Sequence, residues 1–151
     1  MKPAPTDWPR ISSSIYYQDP ARAIDWLCRA FGFEVRLKVE GDDGDIVHSE
    51  LEYGGGLIMV GGEGGWRSNP EREFAKSPRS VGGANTQSLM VYVDDAEAHC
   101  ARARAEGATI LTEPAVTDYG PEYWSDRGYS CEDHEGHTWY FAQRLRSAGE
   151  R

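Results

Sequence analysis

The sequence has few cysteines, no long apolar run and too few basic residues to balance its acids. Its three cysteines, Cys28, Cys100 and Cys131, form no C-x-x-C pair, so free thiols in a reducing cytoplasm are expected rather than a disulfide framework. No apolar run approaches the ~20 residues of a membrane-spanning helix, and the first ten residues lack a secretory hydrophobic stretch. The sequence therefore predicts a cytoplasmic protein with no membrane partner.

The excess of acidic over basic residues excludes some classes of binding partner. The chain carries 16 Lys and Arg against 25 Asp and Glu, a formal net charge of −9. Because a nucleic-acid backbone needs a basic face, this balance argues against nucleic acid as the main partner. A neutral or cationic small molecule is therefore the expected ligand. The length of 151 residues suffices for a single domain of ordinary size.

One weak duplication organises the chain. The segments IYYQDPARAIDWLCRAFGFEVR and VYVDDAEAHCARARAEGATIL each read as strand, acidic cap, helix, glycine stop and strand. Asp19 is expected to cap the first helix and Gly32 to end it. In the second copy Asp94, with Glu97, resembles a capping box, and Gly107 is the expected stop.

Three strands are predicted after the helix in each copy. Module 1 is placed at about residues 11–61 and module 2 at about 87–144, joined by a Gly- and Pro-rich linker at 62–86. Neither half is large enough to bury a sheet face alone, so the two modules are expected to form a single domain over 1–151.

Three segments carry a resemblance to a known family. In this order and spacing, YYQDPARAIDWLCRAFGF, VYVDDAEAHCARARAEGA and EDHEGHTWYF resemble the glyoxalase/bleomycin-resistance/extradiol-dioxygenase (vicinal oxygen chelate) superfamily. The resemblance implies an α+β fold of two tandem βαβββ modules, whose sheets form a concave cavity with the helices on the outer face. It also implies a homodimer.

The superfamily's enzymes hold a divalent metal with His, Gln or Glu side chains from four strands. The resemblance carries those positions onto Ser12, Met59, Ser88 and Tyr140. Hydroxyls bind such ions weakly and a thioether is a soft donor. No metal and no cofactor is therefore expected, and a divalent ion remains only as the alternative.

Strand alternation predicts which side chains face the cavity. His48 and Glu50 share one strand face and would be the acid/base pair of an enzyme. Arg127 is expected to bind a ligand carboxylate or to pair with Glu50. Aromatic walls with nearby carboxylates favour flat or cationic ligands. The expected ligand-binding residues are Tyr16, Tyr92, Trp124, Arg127, Tyr129 and Tyr140, with Trp66 as a further aromatic at the mouth.

Three functions remain open from the sequence. The first is a metal-free protein that binds an aromatic or cationic small molecule, as the superfamily's resistance proteins do. The second is a lyase, isomerase or dioxygenase, either metal-dependent or using His48 and Glu50. The third is an interaction module that has kept the fold and lost the pocket.

Overall fold

The computed structural model describes residues 1–150 as two compact units. Unit 1 covers Met1–Gly82, and unit 2 begins at Gly83. Each unit holds one four-stranded mixed sheet and one α-helix, in the order strand, helix and three strands. This confirms the predicted α+β fold of two tandem βαβββ modules. No helix within residues 1–150 is long and apolar enough to cross a membrane.

Unit 1 is built on a sheet with the strand order β1-β4-β3-β2, in which only β1 and β4 are parallel. Its elements are β1 Ser13–Tyr17, α1 Pro20–Phe31, β2 Glu34–Glu40, β3 Ile46–Tyr53 and β4 Gly56–Gly62. The segment predicted as a linker contains two short 3-10 helices, Pro70–Arg72 and Pro78–Val81.

The ends of α1 follow from its sequence. The carboxylate of Asp19 accepts a hydrogen bond from the amide of Arg22 at 3.1 Å, which satisfies one of the free amides of the first turn. Gly32 adopts the left-handed conformation with φ 85° and ends the helix. Both predicted ends are thus confirmed. The buried face of the helix consists of Ala23, Ile24, Trp26, Leu27, Ala30 and Phe31.

Unit 2 repeats this arrangement with the strand order β5-β8-β7-β6, in which only β5 and β8 are parallel. Its elements are β5 Leu89–Tyr92, α2 Ala96–Ala105, β6 Thr109–Asp118, β7 Ser125–Glu132 and β8 Thr138–Arg146.

The start of α2 corrects one expectation. Asp95, not Asp94, caps the helix, because its carboxylate accepts the amide hydrogen bond of Ala98 at 2.9 Å. The helix ends at Ala105, and Gly107 follows with φ 99°. The buried stripe of α2 consists of the small residues Ala96, Cys100 and Ala103. Large side chains of the sheet fill the space against it, among them Tyr129, Trp139 and Phe141, each at most 1% exposed.

Candidate functional site

The sheet of unit 1 carries an open cleft of about 330 Å³. Ser14 lies opposite Met59 and Tyr16 opposite Gly61 in the β1–β4 pair, and these residues line the cleft. They alternate with buried residues such as Ile15, which belong to the core. The cleft is therefore on the sheet face turned away from the core. Its lining residues also include Val47, His48, Trp66, Asn69 and Arg72.

Tyr16 and Trp66 form the aromatic part of the cleft. The ring of Tyr16 meets the ring of Phe74 edge-on, with 6.1 Å between the centroids. Its hydroxyl lies 3.4 Å from Nη1 of Arg72. Trp66 is 39% exposed, and the guanidinium of Arg67 lies 4.3 Å from its ring centroid. Both residues expected at the cavity from the sequence thus line one cleft.

His48 stands at this cleft in contact with Glu50. Nε2 of His48 is 2.9 Å from Oε1 of Glu50, and Nε of Arg36 donates to Oε2 of Glu50 at 2.7 Å. The hydrogen bond from His48 and the contact with Arg36 hold the pKa of Glu50 below its ordinary value, although burial acts to raise it. Glu50 therefore orients the His48 ring while its own charge is balanced by Arg36.

The partner of Glu50 was not predicted correctly. The sequence offered Arg127 for this pairing, whereas the structure uses Arg36. Val35 pairs with Leu51 and Leu37 pairs with Glu50, so Arg36 is an extra residue at a strand irregularity. Such an irregularity redirects a side chain and cannot be read from strand alternation.

In unit 2, a charged and aromatic cluster lies on the sheet face away from α2. Nε of Arg144 donates to Oδ1 of Asp126 at 2.6 Å, and the hydroxyl of Tyr92 donates to Oδ2 at 3.2 Å. The Arg144 guanidinium lies 5.0 Å from the ring centroid of Tyr92 and 5.6 Å from that of Trp124. Asp126 is 4% exposed. The structure thus groups the predicted residues Tyr92 and Trp124 around the exposed guanidinium of Arg144.

Tyr140 lies on the same face of the unit 2 sheet. A Cβ atom on Gly128 would come 2.1 Å from its hydroxyl, so the ring of Tyr140 packs directly over this glycine. Burial raises the pKa of Tyr140, and the nearby Asp126 adds to the shift. Sequence reasoning missed Arg144, although alternation from Tyr140 along β8 places it on this face.

Tyr129 and Arg127 lie on the opposite side from that expected. Tyr129 is fully buried, its hydroxyl is 2.6 Å from Nδ1 of His99 on α2, and its ring stacks on Phe141. Nε of Arg127 lies 3.7 Å from a carboxylate oxygen of Glu97, also on α2. Both residues therefore face the helix.

The physical reason for this correction is a shift of one residue between the repeats. Leu51 lies opposite Ile58 in unit 1, and Cys131 lies opposite Trp139 in unit 2. The third strands of the two modules are therefore related by an offset of 80 residues, whereas the fourth strands are related by 81. If the larger offset is applied to β7, every side chain of the strand is assigned to the wrong face of the sheet, because successive side chains of a strand point to opposite faces.

The positions that hold a metal in the superfamily's enzymes do not fit one here. Ser12 and Ser88 offer hydroxyls, of which that of Ser12 accepts a hydrogen bond from the indole of Trp8 at 3.1 Å. Met59 offers a soft thioether, and Tyr140 a phenol of raised pKa. Hard and borderline divalent ions prefer carboxylate and imidazole donors. Within residues 1–150, no group of three or more His, Cys, Asp or Glu is placed to hold a metal ion.

Comparison with known proteins shows the family. The family model for the Glyoxalase/Bleomycin resistance protein/Dioxygenase superfamily matches residues 10–141. Uncharacterized proteins of Mycobacterium bovis and Mycobacterium tuberculosis are each 31% identical over 140 residues, which cover 91% of this chain and 85% and 76% of theirs.

Solved structures agree with this relationship. TioX from Micromonospora sp. ML1 is 32% identical with a TM-score of 0.68, covering 91% of this chain and 100% of that one. A family enzyme from Burkholderia phytofirmans PsJN has a TM-score of 0.67 at 17% identity, covering 89% and 97% of the two chains, and supports the fold alone. The chain therefore belongs to the glyoxalase/bleomycin resistance protein/dioxygenase superfamily.

Proposed function

We propose that this protein binds an aromatic organic small molecule without a metal cofactor, and that the cleft of unit 1 is the binding site. The observation that carries the proposal is the cleft itself, an open space of about 330 Å³ lined by Tyr16, Met59 and Trp66. Small-molecule sites are concave and start at about 300 Å³, with apolar walls and a few polar groups. Aromatic walls favour flat ligands through stacking.

The cluster of unit 2 does not offer a free site for a ligand cation. Tyr92 and Trp124 already have a cation over their rings, the guanidinium of Arg144. A ligand cation would have to displace Arg144 from Asp126, which lies only 2.6 Å from it. The rings of Tyr92 and Trp124 therefore give no support to the cationic ligand expected from the overall charge.

A second candidate function is acid–base catalysis by His48. Its Nε2 faces Glu50 at 2.9 Å, which leaves Nδ1 as the nitrogen to exchange a proton with a bound substrate. The side chain of His48 is 40% exposed at the cleft, whereas that of Glu50 is 10% exposed. This arrangement of a base and an orienting carboxylate suits a metal-free lyase or isomerase.

The homodimer and the cytoplasmic location remain proposals. The edge strand β2 exposes Val35, Leu37 and Val39, each between 39% and 46%. A second copy of the chain would shield such an apolar edge from water. Light scattering of the purified protein should give twice the chain mass of 16.8 kDa. None of the three cysteines, all within residues 1–150, forms a disulfide, as suits a reducing compartment.

The binding proposal is tested by calorimetric titration of a panel of planar aromatic compounds. Trp66→Leu should weaken the best ligand about tenfold, because stacking contributes about 0.5–1.5 kcal/mol beyond area burial. Tyr123→Leu is the matched control, since Tyr123 is a 56% exposed aromatic of unit 2, and it should leave affinity unchanged. Failure of the whole panel to bind would overturn the proposal, as would equal binding by the Trp66→Leu variant.

Two further measurements separate the alternatives. Elemental analysis that found one divalent ion per chain would contradict the metal-free proposal. If a ligand of the cleft is also turned over, His48→Gln should abolish turnover and retain binding. Turnover that survives this substitution would exclude His48 as the base.

A further inference from the structure

We infer that the ligand of the unit 1 cleft is an aromatic carboxylate, whose anionic group is held by Arg72 with His48 beside it. The inference rests on the proposed function and specifies the chemical class of its ligand. It runs against the expectation from the net charge of −9, because the charge of the cleft differs from that of the chain.

The one permanently charged side chain that lines the cleft is that of Arg72. His48 and Arg72 are the only His, Lys or Arg among the lining residues, and no Asp or Glu is among them. Glu50, which contacts His48 from outside the cleft lining, is paired with Arg36, so its charge is compensated. A bound anion would therefore meet the positive charge of Arg72, and no Asp or Glu lines the cleft to oppose it.

Two acids of the neighbouring turn lie outside the lining of the cleft. Asp43 and Asp45 lie in the turn between β2 and β3, close to Trp66. They interact with the guanidinium of Arg67, which itself lies over the Trp66 ring. Neither carboxylate lines the cleft.

Arg72 differs from the paired arginines of the chain. The paired arginines include Arg36, Arg104, Arg127, Arg144 and Arg146, each of which lies within 4.0 Å of a carboxylate oxygen. Within residues 1–150, Arg72 has no such ion pair, and its guanidinium contacts only the hydroxyl of Tyr16, at the long distance of 3.4 Å. Its planar fork of N–H groups is suited to bind a carboxylate through two parallel hydrogen bonds.

The stem of Arg72 is held in place by its surroundings. It ends the 3-10 helix Pro70–Arg72, which Asn69 caps. A Cβ atom on Gly65 would come 3.0 Å from Cβ and Cγ of Arg72, so the loop packs closely on the stem. The guanidinium is thereby presented next to Tyr16, where a ligand ring would stack.

The test compares three probes that share one ring system and differ in charge. These are 2-naphthoate, neutral 2-naphthylmethanol and cationic 2-naphthylmethylammonium, each titrated calorimetrically into the full chain at low salt. We expect 2-naphthoate to bind about tenfold more tightly than the alcohol, and the ammonium compound to bind least. Raising the salt concentration should reduce this preference, because the side chain of Arg72 is exposed and its attraction is screened.

Substitutions test whether Arg72 causes the preference for 2-naphthoate. Arg72→Gln should remove the tenfold advantage of 2-naphthoate and leave the affinity for the alcohol unchanged, while Arg72→Lys should keep part of it. Arg22→Gln is the matched control, since it removes the same charge from an exposed position on α1 and should change nothing. Thermal unfolding of each variant confirms that it folds.

The outcomes distinguish a failure of the proposed binding function from a failure of the assigned ligand class. If no probe binds and the wider aromatic panel also fails, the proposed function is overturned together with this inference. If the alcohol or the ammonium compound binds as tightly as 2-naphthoate, only the assignment of an anionic ligand is overturned. If Arg72→Gln leaves the preference intact, only the assignment of Arg72 as the residue that holds the carboxylate is overturned.

Discussion

Ser49 completes the hydrogen bonds of Val60 on the neighbouring strand. Its hydroxyl donates to the carbonyl oxygen of Val60 at 2.6 Å and accepts from its amide at 3.0 Å. Both residues are 1% exposed, so no solvent can replace these bonds. The ladder between β3 and β4 is thus continued by a side chain beyond its last main-chain pair, Leu51 with Ile58.

Ser49→Ala should lower the free energy of unfolding by about 1–3 kcal/mol, because it leaves two buried main-chain groups of Val60 without partners. Urea denaturation measures the change. Ser130→Ala is the control, since its hydroxyl bonds to Thr112 in an exposed setting, and it should cost less than about 0.5 kcal/mol. Equal costs for the two variants would contradict this role of Ser49.

Arg144→Gln should measurably destabilise unit 2, because it takes the cation from the nearly buried carboxylate of Asp126. The matched control is Arg104→Gln. Arg104 pairs with Glu113, but both side chains are more than half exposed, at 51% and 69%, so this variant should cost clearly less stability than Arg144→Gln. The two values come from chemical denaturation, and a smaller loss for Arg144→Gln than for Arg104→Gln would refute the prediction.

Gly128→Ala should displace the ring of Tyr140, since the new Cβ would lie 2.6 Å from a ring carbon. The expected cost is about 1–3 kcal/mol from overpacking. Gly55→Ala, with no atom within 4 Å of its Cβ, should be close to neutral. In a Tyr140→Ala background the cost of Gly128→Ala should largely vanish. A double-mutant cycle measures this coupling, and additive effects would show that Tyr140 does not impose the glycine.

Stability should fall at alkaline pH through Cys131. Burial raises the pKa of its thiol from 9.0 to about 12, so between these values the folded chain keeps a proton that the unfolded chain releases. The contribution is fully present below pH 9.0 and is lost as pH rises, at up to about 1.4 kcal/mol per pH unit. Urea denaturation between pH 8 and 11 should show a shallower loss for Cys131→Ala than for the parent chain. Parallel curves would disprove the assignment.

Local features of the fold could be predicted from the sequence because short-range chemistry decides them. The capping carboxylate of Asp19 and the left-handed Gly32 act within one helical turn of α1. The apolar periodicity of both helices and the alternation along β1, β5 and β8 depend only on the geometry of each element. The sequence also indicated that Tyr16 and His48, now found at one cleft, share a sheet face.

The tertiary structure decided what depends on which strand lies beside which, and in what register. The orientation of Tyr129 changed because β7 is shifted by one residue relative to its counterpart β3. The partner of Glu50 is Arg36 because a local irregularity of β2 brings it there. The basic lining of the cleft arises because the loop that carries Arg72 packs beside Tyr16. Such contacts join residues far apart in the chain, so composition and periodicity do not specify them, and the packing of the folded sheet does.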